Sequence, residues 1–208
     1  FGRLRFLVSN GGDINLDSLA TIDGRTWIDL DDNTNYTLDA LTSADGMQID
    51  VDGTSILNLP VLTDYRNASI LIADGGAVNA PSLTTLVNSV VSLNPQRTFN
   101  VGSLANIDNS SISVSNGRVF SSVSAASYTV TSNPTNMTLL SADGADSELL
   151  LSSLGSIVTF YNTGGSALTI NASNGGFIDL AGTTSVTGTN GFGRLRFLVS
   201  NGGDINLD

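Results

Sequence analysis

Apolar residues return along this chain in a fixed pattern with a period of about 21 residues. Ile14, Leu16, Leu19 and Ile22 set a four-position template. It recurs as Tyr36, Leu38, Leu41 and Ala44, then as Leu57, Leu59, Leu62 and Tyr65, and then as Val78, Ala80, Leu83 and Leu86. Phe99, Val101, Leu104 and Ile107 follow, and then Phe120, Ser122, Ala125 and Tyr128. Longer spacings lead to Leu149, Leu151, Leu154 and Ile157 and to Ile178, Leu180, Thr183 and Val186. Of these 32 positions 30 are apolar, in a chain that is 40% apolar, so the pattern is structural. The slot between the first two columns is polar in nearly every copy: Asn15, Thr37, Asn58, Asn79, Asn100, Ser121 and Asp179, with Leu150 the exception. Apolar-polar alternation of period two predicts a short strand with its apolar face inward. A column of Asn at one outward slot predicts amide ladders between successive copies.

A second strand precedes each template, seen in Phe6-x-Val8, Ile28-x-Leu30, Ile49-x-Val51, Ile70-x-Ile72, Val91-x-Leu93 and Ile112-x-Val114. Turn residues follow it: Asn10-Gly11-Gly12, Asp52-Gly53, Asn116-Gly117, Asp143-Gly144 and Asn174-Gly175-Gly176. Asn, Asp and Gly accept the positive φ that a sharp corner requires. A unit of this size with two or three short strands cannot bury its own apolar face, so successive units must stack. The predicted fold is all-β, a parallel β-solenoid of about eight coils of ~21–29 residues. A leucine-rich-repeat horseshoe fits less well, because the fixed Asn of that repeat is missing and no room remains for a convex helix.

A longer period encloses the short one. Residues 1–17 recur letter for letter as residues 192–208, an offset of 191 residues. Residues 1–191 therefore read as one complete tandem repeat, and residues 192–208 as the start of an identical one.

Composition narrows the chemistry. The charged fraction is 13%, and Gly, Ser, Thr, Asn and Asp take the place of the usual helix-forming polar residues. Net charge is −11 with no basic cluster, so nucleic acid and anionic membrane are excluded as natural partners. Cys and His are both absent. Thiol chemistry, imidazole catalysis and the usual zinc sites go with them. No apolar run reaches membrane-spanning length, so no membrane insertion is expected.

The segments Ser9-Asn10-Gly11-Gly12-Asp13-Ile14-Asn15-Leu16 and Ala73-Asp74-Gly75-Gly76-Ala77-Val78-Asn79-Ala80-Pro81-Ser82-Leu83-Thr84-Thr85-Leu86 resemble the β-strand repeats of giant bacterial surface proteins and of filamentous-haemagglutinin-type adhesins. The resemblance covers nearly the whole chain through compositional motifs. It implies a secreted or cell-surface, right-handed solenoid used for structure or attachment, and it carries over no catalytic residues.

Two places depart from the regular pattern. In the predicted register Asp29 stacks on Asp50 and Asp31 on Asp52, with Asp32 in reach. Like charges on adjacent strands repel, so the cluster calls for a cation, and oxygen-only ligands favour Ca²⁺. A solvated acidic face is the competing reading. The second departure is a set of insertions, at Thr129–Asn136, Val158–Ser166 and Thr187–Gly193, which fall at one corner. Phe160, Tyr161, Asn162 and Phe192 there make a candidate binding loop for sugars or partner chains.

The expected function is non-enzymatic: a structural tandem-repeat module of an extracellular fibre, whose partners are copies of itself stacked end to end or bundled laterally. The alternatives are an adhesin stalk that binds glycans or cells through its corner loops and a polysaccharide-degrading β-helix enzyme. Paired aspartates on adjacent coils could serve the latter as acid and base, but His and Lys are both missing.

Overall fold

In a computed structural model the chain is described at residues 3–72, 75–95, 97–102, 104–122, 124–131, 137–159, 167–188 and 194–208. Every regular element among the described residues is a β-strand, and every strand pairing is parallel. The chain divides into two compact units, Phe1–Ser103 and Leu104–Asp208.

The first unit holds β1 (Leu4–Val8), β2 (Thr21–Leu30), β3 (Asn35–Thr37), β4 (Ser43–Val51), β5 (Ile56–Asn58), β6 (Asp64–Arg66), β7 (Ser69–Ile72), β8 (Ala77–Ala80), β9 (Thr85–Val87), β10 (Val90–Leu93) and β11 (Thr98–Val101). One sheet runs β1-β2-β4-β7-β10, a second runs β3-β5-β8-β11, and β6 and β9 extend from the first half of β4. From Tyr36 onward the apolar columns read from the sequence are the register, whereas Ile14 and Leu16 of the first template lie in no strand. Tyr36 lies opposite Leu57, Leu57 opposite Val78, and Val78 opposite Phe99. Ile22, Ala44, Tyr65 and Leu86 make another such column, and Phe6, Ile28, Ile49, Ile70 and Val91 a third. Within these columns Ile28, Ile49, Leu57, Val78 and Leu86 are fully buried.

The second unit holds β12 (Ser111–Ser115), β13 (Val119–Ser121), β14 (Ser127–Val130), β15 (Met137–Asp143), β16 (Glu148–Leu150), β17 (Ser156–Thr159), β18 (Ala167–Ser173), β19 (Phe177–Asp179), β20 (Ser185–Gly188), β21 (Arg194–Ser200) and β22 (Asp204–Asn206). They form three parallel stacks, β12-β15-β18-β21, β13-β16-β19-β22 and β14-β17-β20. Phe120, Leu149, Ile178 and Ile205, the first-position template residues of this unit, stand opposite one another in register. Tyr128, Ile157 and Val186, the fourth-position residues, do the same. Val186 is half-exposed because β20 is the last strand of its stack. Ser122, one of the two polar exceptions in the template, is nonetheless buried, and its hydroxyl donates to the Leu104 carbonyl at 2.7 Å.

Polar side chains close the corners and tie each turn to the next. The predicted Asn column is an amide ladder over three members: Asn100 donates to Asn79 at 2.6 Å and Asn79 to Asn58 at 2.8 Å. Asn58 donates to Asn35, outside the column, at 2.8 Å, and Asn15 accepts from the Asp17 amide at 3.3 Å instead. A second ladder runs from Asn88 to Asn67 to Asp45, and a third from Asn201 to Asn174 to Asp143. Buried serines meet backbone amides that the corners would otherwise orphan. Ser55 accepts from the Thr34 amide at 3.0 Å, and Ser147 accepts from Gly117 at 3.0 Å while donating to the Asp143 carbonyl at 2.7 Å. The expected corners have the expected backbone: Asn10-Gly11, Asn116-Gly117 and Asn174-Gly175 each place two successive residues at positive φ. The fully buried Tyr65 hydroxyl donates toward the Met47 and Ser69 carbonyls, at 2.7 and 3.0 Å.

The relative weight of core and ladder is measurable by urea unfolding. Leu57→Ala opens a cavity at a fully buried position and is expected to cost about 2–5 kcal/mol. Asn79→Ala removes two ladder bonds at a half-buried position and is expected to cost about 1–2 kcal/mol. An Asn79→Ala loss as large as that of Leu57→Ala would show the ladder, not the core, to be the main tie between turns.

Candidate functional site

The predicted acidic patch is assembled, and it has a feature that the sequence reading missed. Asp29 in β2 pairs in register with Asp50 in β4, which sets the two side chains one strand spacing apart, about 4.8 Å. The Asp52 amide donates to the Leu30 carbonyl at 2.8 Å, and the Asp31 amide donates to Val8 at 3.0 Å, so Asp31 and Asp52 lie one turn apart just beyond the strand ends. Alternation sends Asp29 to the outer face of its sheet, yet it is only 4% exposed. The cause is Arg5, in the neighbouring strand, whose guanidinium forms an ion pair and hydrogen bond with the Asp29 carboxylate. Arg5 lies two positions before Leu7, the residue that pairs with Asp29. It is thus a diagonal neighbour, within reach of a long side chain.

The remaining carboxylates feel one another. Burial first, and then the charges of Asp52, Asp29 and Asp31, raise the Asp50 carboxyl above the usual range, with Arg5 opposing. Asp31 is raised by burial first, then by the charge of Asp29, and then by its neighbour Asp52. The bond to Asp29 raises the Arg5 guanidinium in turn. Asp143 in the second unit is the opposite case: hydrogen bonds from Ser173 and Asn174 lower its carboxyl.

The counter-charge nearest the four aspartates is thus a guanidinium of the same chain. Among the described residues no three His, Cys, Asp or Glu side chains are grouped so as to hold a metal ion. The Asp29 carboxylate, already engaged by Arg5, does not fit a calcium cage. The candidate loop residues Phe160, Tyr161, Asn162 and Phe192 lie outside the described residues.

Beside this patch on the first unit lies an open groove of about 610 Å³, lined by Arg3, Arg25, Trp27, Gln48, Asn67 and Asn88, among others. Arg3 sits over the Trp27 ring, 5.1 Å from its centroid. The sequence signal for this site was the single Trp of the chain. Of its arginine partners, Arg25 stands two residues before Trp27 in β2, whereas Arg3 belongs to the preceding turn, so no local motif marks the set.

The pH dependence of stability tests the electrostatics. A carboxyl whose folded pKa is raised resists ionisation in the native state, so its destabilising contribution is full above that value and fades as pH falls through it. Asp50→Asn is therefore expected to raise Tm at pH 7, with the gain shrinking as pH falls toward the ordinary Asp range near ~4. Asp143, with a lowered pKa, contributes stability above the usual range that is lost as pH falls, so Asp143→Asn is expected to narrow the acid-induced drop. Equal Tm changes for Asp50→Asn at both pH values would overturn the assignment of repulsion to this cluster.

Comparison of this chain with protein-family models, with curated protein sequences and with solved structures returns no match.

Proposed function

We propose that the chain is a structural tandem-repeat module of a secreted or cell-surface fibre. In this reading each 191-residue repeat is a right-handed parallel β-solenoid of about eight coils, and consecutive repeats continue one stack. The observation that carries it is the behaviour of the duplicated seventeen-residue segment, which occurs in two complementary settings.

At its first occurrence the segment has a downstream neighbour and an open upstream side. Phe6 and Val8 pair with Ile28 and Leu30, and Val8 is 2% exposed. Leu4 is 57% exposed, and an opening of about 180 Å³ of mixed lining, with Leu4, Phe6, Leu19 and Ile22 beside Thr21, Asp23 and Thr26, lies there. At the second occurrence the neighbours are reversed. Phe197 and Val199 pair with Ile170 and Ala172, Ile205 pairs with Ile178, and Leu195, the counterpart of Leu4, is half-buried against Leu168. Val199, the counterpart of Val8, is now 55% exposed. Each setting supplies the side that the other lacks. A segment flanked on both sides at once buries what either copy leaves open, and joining also satisfies the strand edges that would otherwise template aggregation.

End-to-end continuity of self-similar modules builds length, and this supports an extracellular or surface fibre above catalysis. The adhesin-stalk reading rests on loops that lie outside the described residues. Small-angle scattering on one repeat and on two joined repeats tests the proposal. Eight coils at the ~4.8 Å strand spacing add roughly 38 Å, so the maximum dimension should grow by about that amount per repeat. Two independent particles on a flexible tether, or no growth in length, would overturn it.

A further inference from the structure

We propose that the groove on the first unit binds a carboxylate-bearing glycan strand, a role separate from the building of length. Three features of the groove point to such a ligand.

The first is a bulge. Between Asp23 and Thr26 the register of β2 against β4 shifts. Asp23 pairs with Asp45 and Thr26 with Met47, so Gly24 and Arg25 face Gly46 alone and one residue is extra. A bulge re-aims a side chain and is a recurrent device beside binding sites. Here it delivers Arg25 to the groove. The floor is kept low by glycine: Gly24 and Gly46 both have positive φ, and a Cβ on Gly46 would stand 3.0 Å from the Gly24 carbonyl oxygen.

The second observation is the excess of donors. The Asn67 amide is committed to Asp45 and to Asn88. The side chains of Arg25 and Gln48, by contrast, have no ion-pair or hydrogen-bond partner among the described residues, and the contact of Arg3 is with the Trp27 face. A wall that offers two guanidiniums and a free amide selects a ligand rich in oxygen acceptors and negative in charge, and guanidinium matches carboxylate in a planar fork.

The third is the way the wall repeats. Trp27, Gln48 and Ser69 stand in register on successive strands, one per turn, with Asn67 and Asn88 opposite. Such a site suits an extended polymer lying along the stacking direction. An extended peptide would dock by adding a strand to a free edge, but β2, β4 and β7 use their backbone groups on one another. Recognition falls to side chains: an indole for the apolar face of a sugar ring and guanidinium and amide groups for its acidic and hydroxyl oxygens.

The groove also survives the proposed stacking. Arg194 repeats Arg3 and pairs with Ala167, a small neutral residue that would leave the upstream end of the groove open. An array would then present one such groove in every 191 residues.

Calorimetric titration of the 208-residue chain tests this with a matched pair of probes, a hexasaccharide of β-1,4-linked glucuronate and neutral cellohexaose. Expected is one saturable uronate site, no cellohexaose binding, and a loss of affinity of about tenfold or more in Arg25→Gln and in Trp27→Ala. Arg25 is an exposed bulge residue, so its variant should keep the parent Tm and keeps the test meaningful if Trp27→Ala unfolds. Absence of uronate binding, or affinity unchanged in Arg25→Gln, overturns the proposal. Equal binding of hexaglutamate overturns it in favour of an unselective polyanion surface. None of these outcomes depends on whether repeats join end to end.

Discussion

Everything in this structure depends on the in-register parallel pairing of one turn of chain with the next. A turn of about two dozen residues has too little interior to hold itself together, and its apolar side chains become a core only when the next turn covers them. Register is what makes that covering effective. A slip of one residue along a strand would send every buried side chain to solvent, and would also pull Asn58, Asn79 and Asn100 out of line. Hydrophobic columns and amide ladders therefore specify the same alignment twice, once from inside and once from outside. Stability of such a stack is to first approximation a sum over nearest-neighbour turns.

The fold was legible in the sequence to the extent that it is periodic. Column membership from the second template onward, the outward slot at Asn58, Asn79 and Asn100, and the left-handed corners at Asn10-Gly11, Asn116-Gly117 and Asn174-Gly175 are local or strictly repeating signals, and they stand in the structure as read. The first template pair, Ile14 and Leu16, lies in no strand. What periodicity conceals is any event that happens once. The Arg5–Asp29 pair is diagonal and not directly opposite, so a column-by-column reading sees Leu7 beside Asp29 and passes over the arginine two positions away. The bulge at Arg25 is likewise invisible in the template spacing, because Gly24-Arg25 and Gly46 both fall between the fourth column and the following strand. Ser122 is the converse case, a break in the apolar pattern that the core accommodates through one hydrogen bond.

The acidic patch and the groove lie on the same unit and face different demands. The patch concentrates charge, and the fold buries one of its carboxylates under a guanidinium. In the groove, arginine is left without an acidic partner, in a chain where acids outnumber bases 19 to 8. Uncompensated donors amid such an excess of acceptors are a departure from the regular scaffold, and in repeat proteins departures of this sort gather on the face that meets other molecules.

The direction of the backbone hydrogen bonds has a mechanical consequence. They point from one turn to the next, so tension along the stack is carried by the bonds between a single pair of turns and not by the covalent chain. Under load the terminal turn would peel away first while the turns behind it stay intact. A turn of the 21-residue spacing seen in the Asn ladder would pay out about 70 Å of slack as it straightened. Turns paired this way would yield one at a time, in small and regular increments.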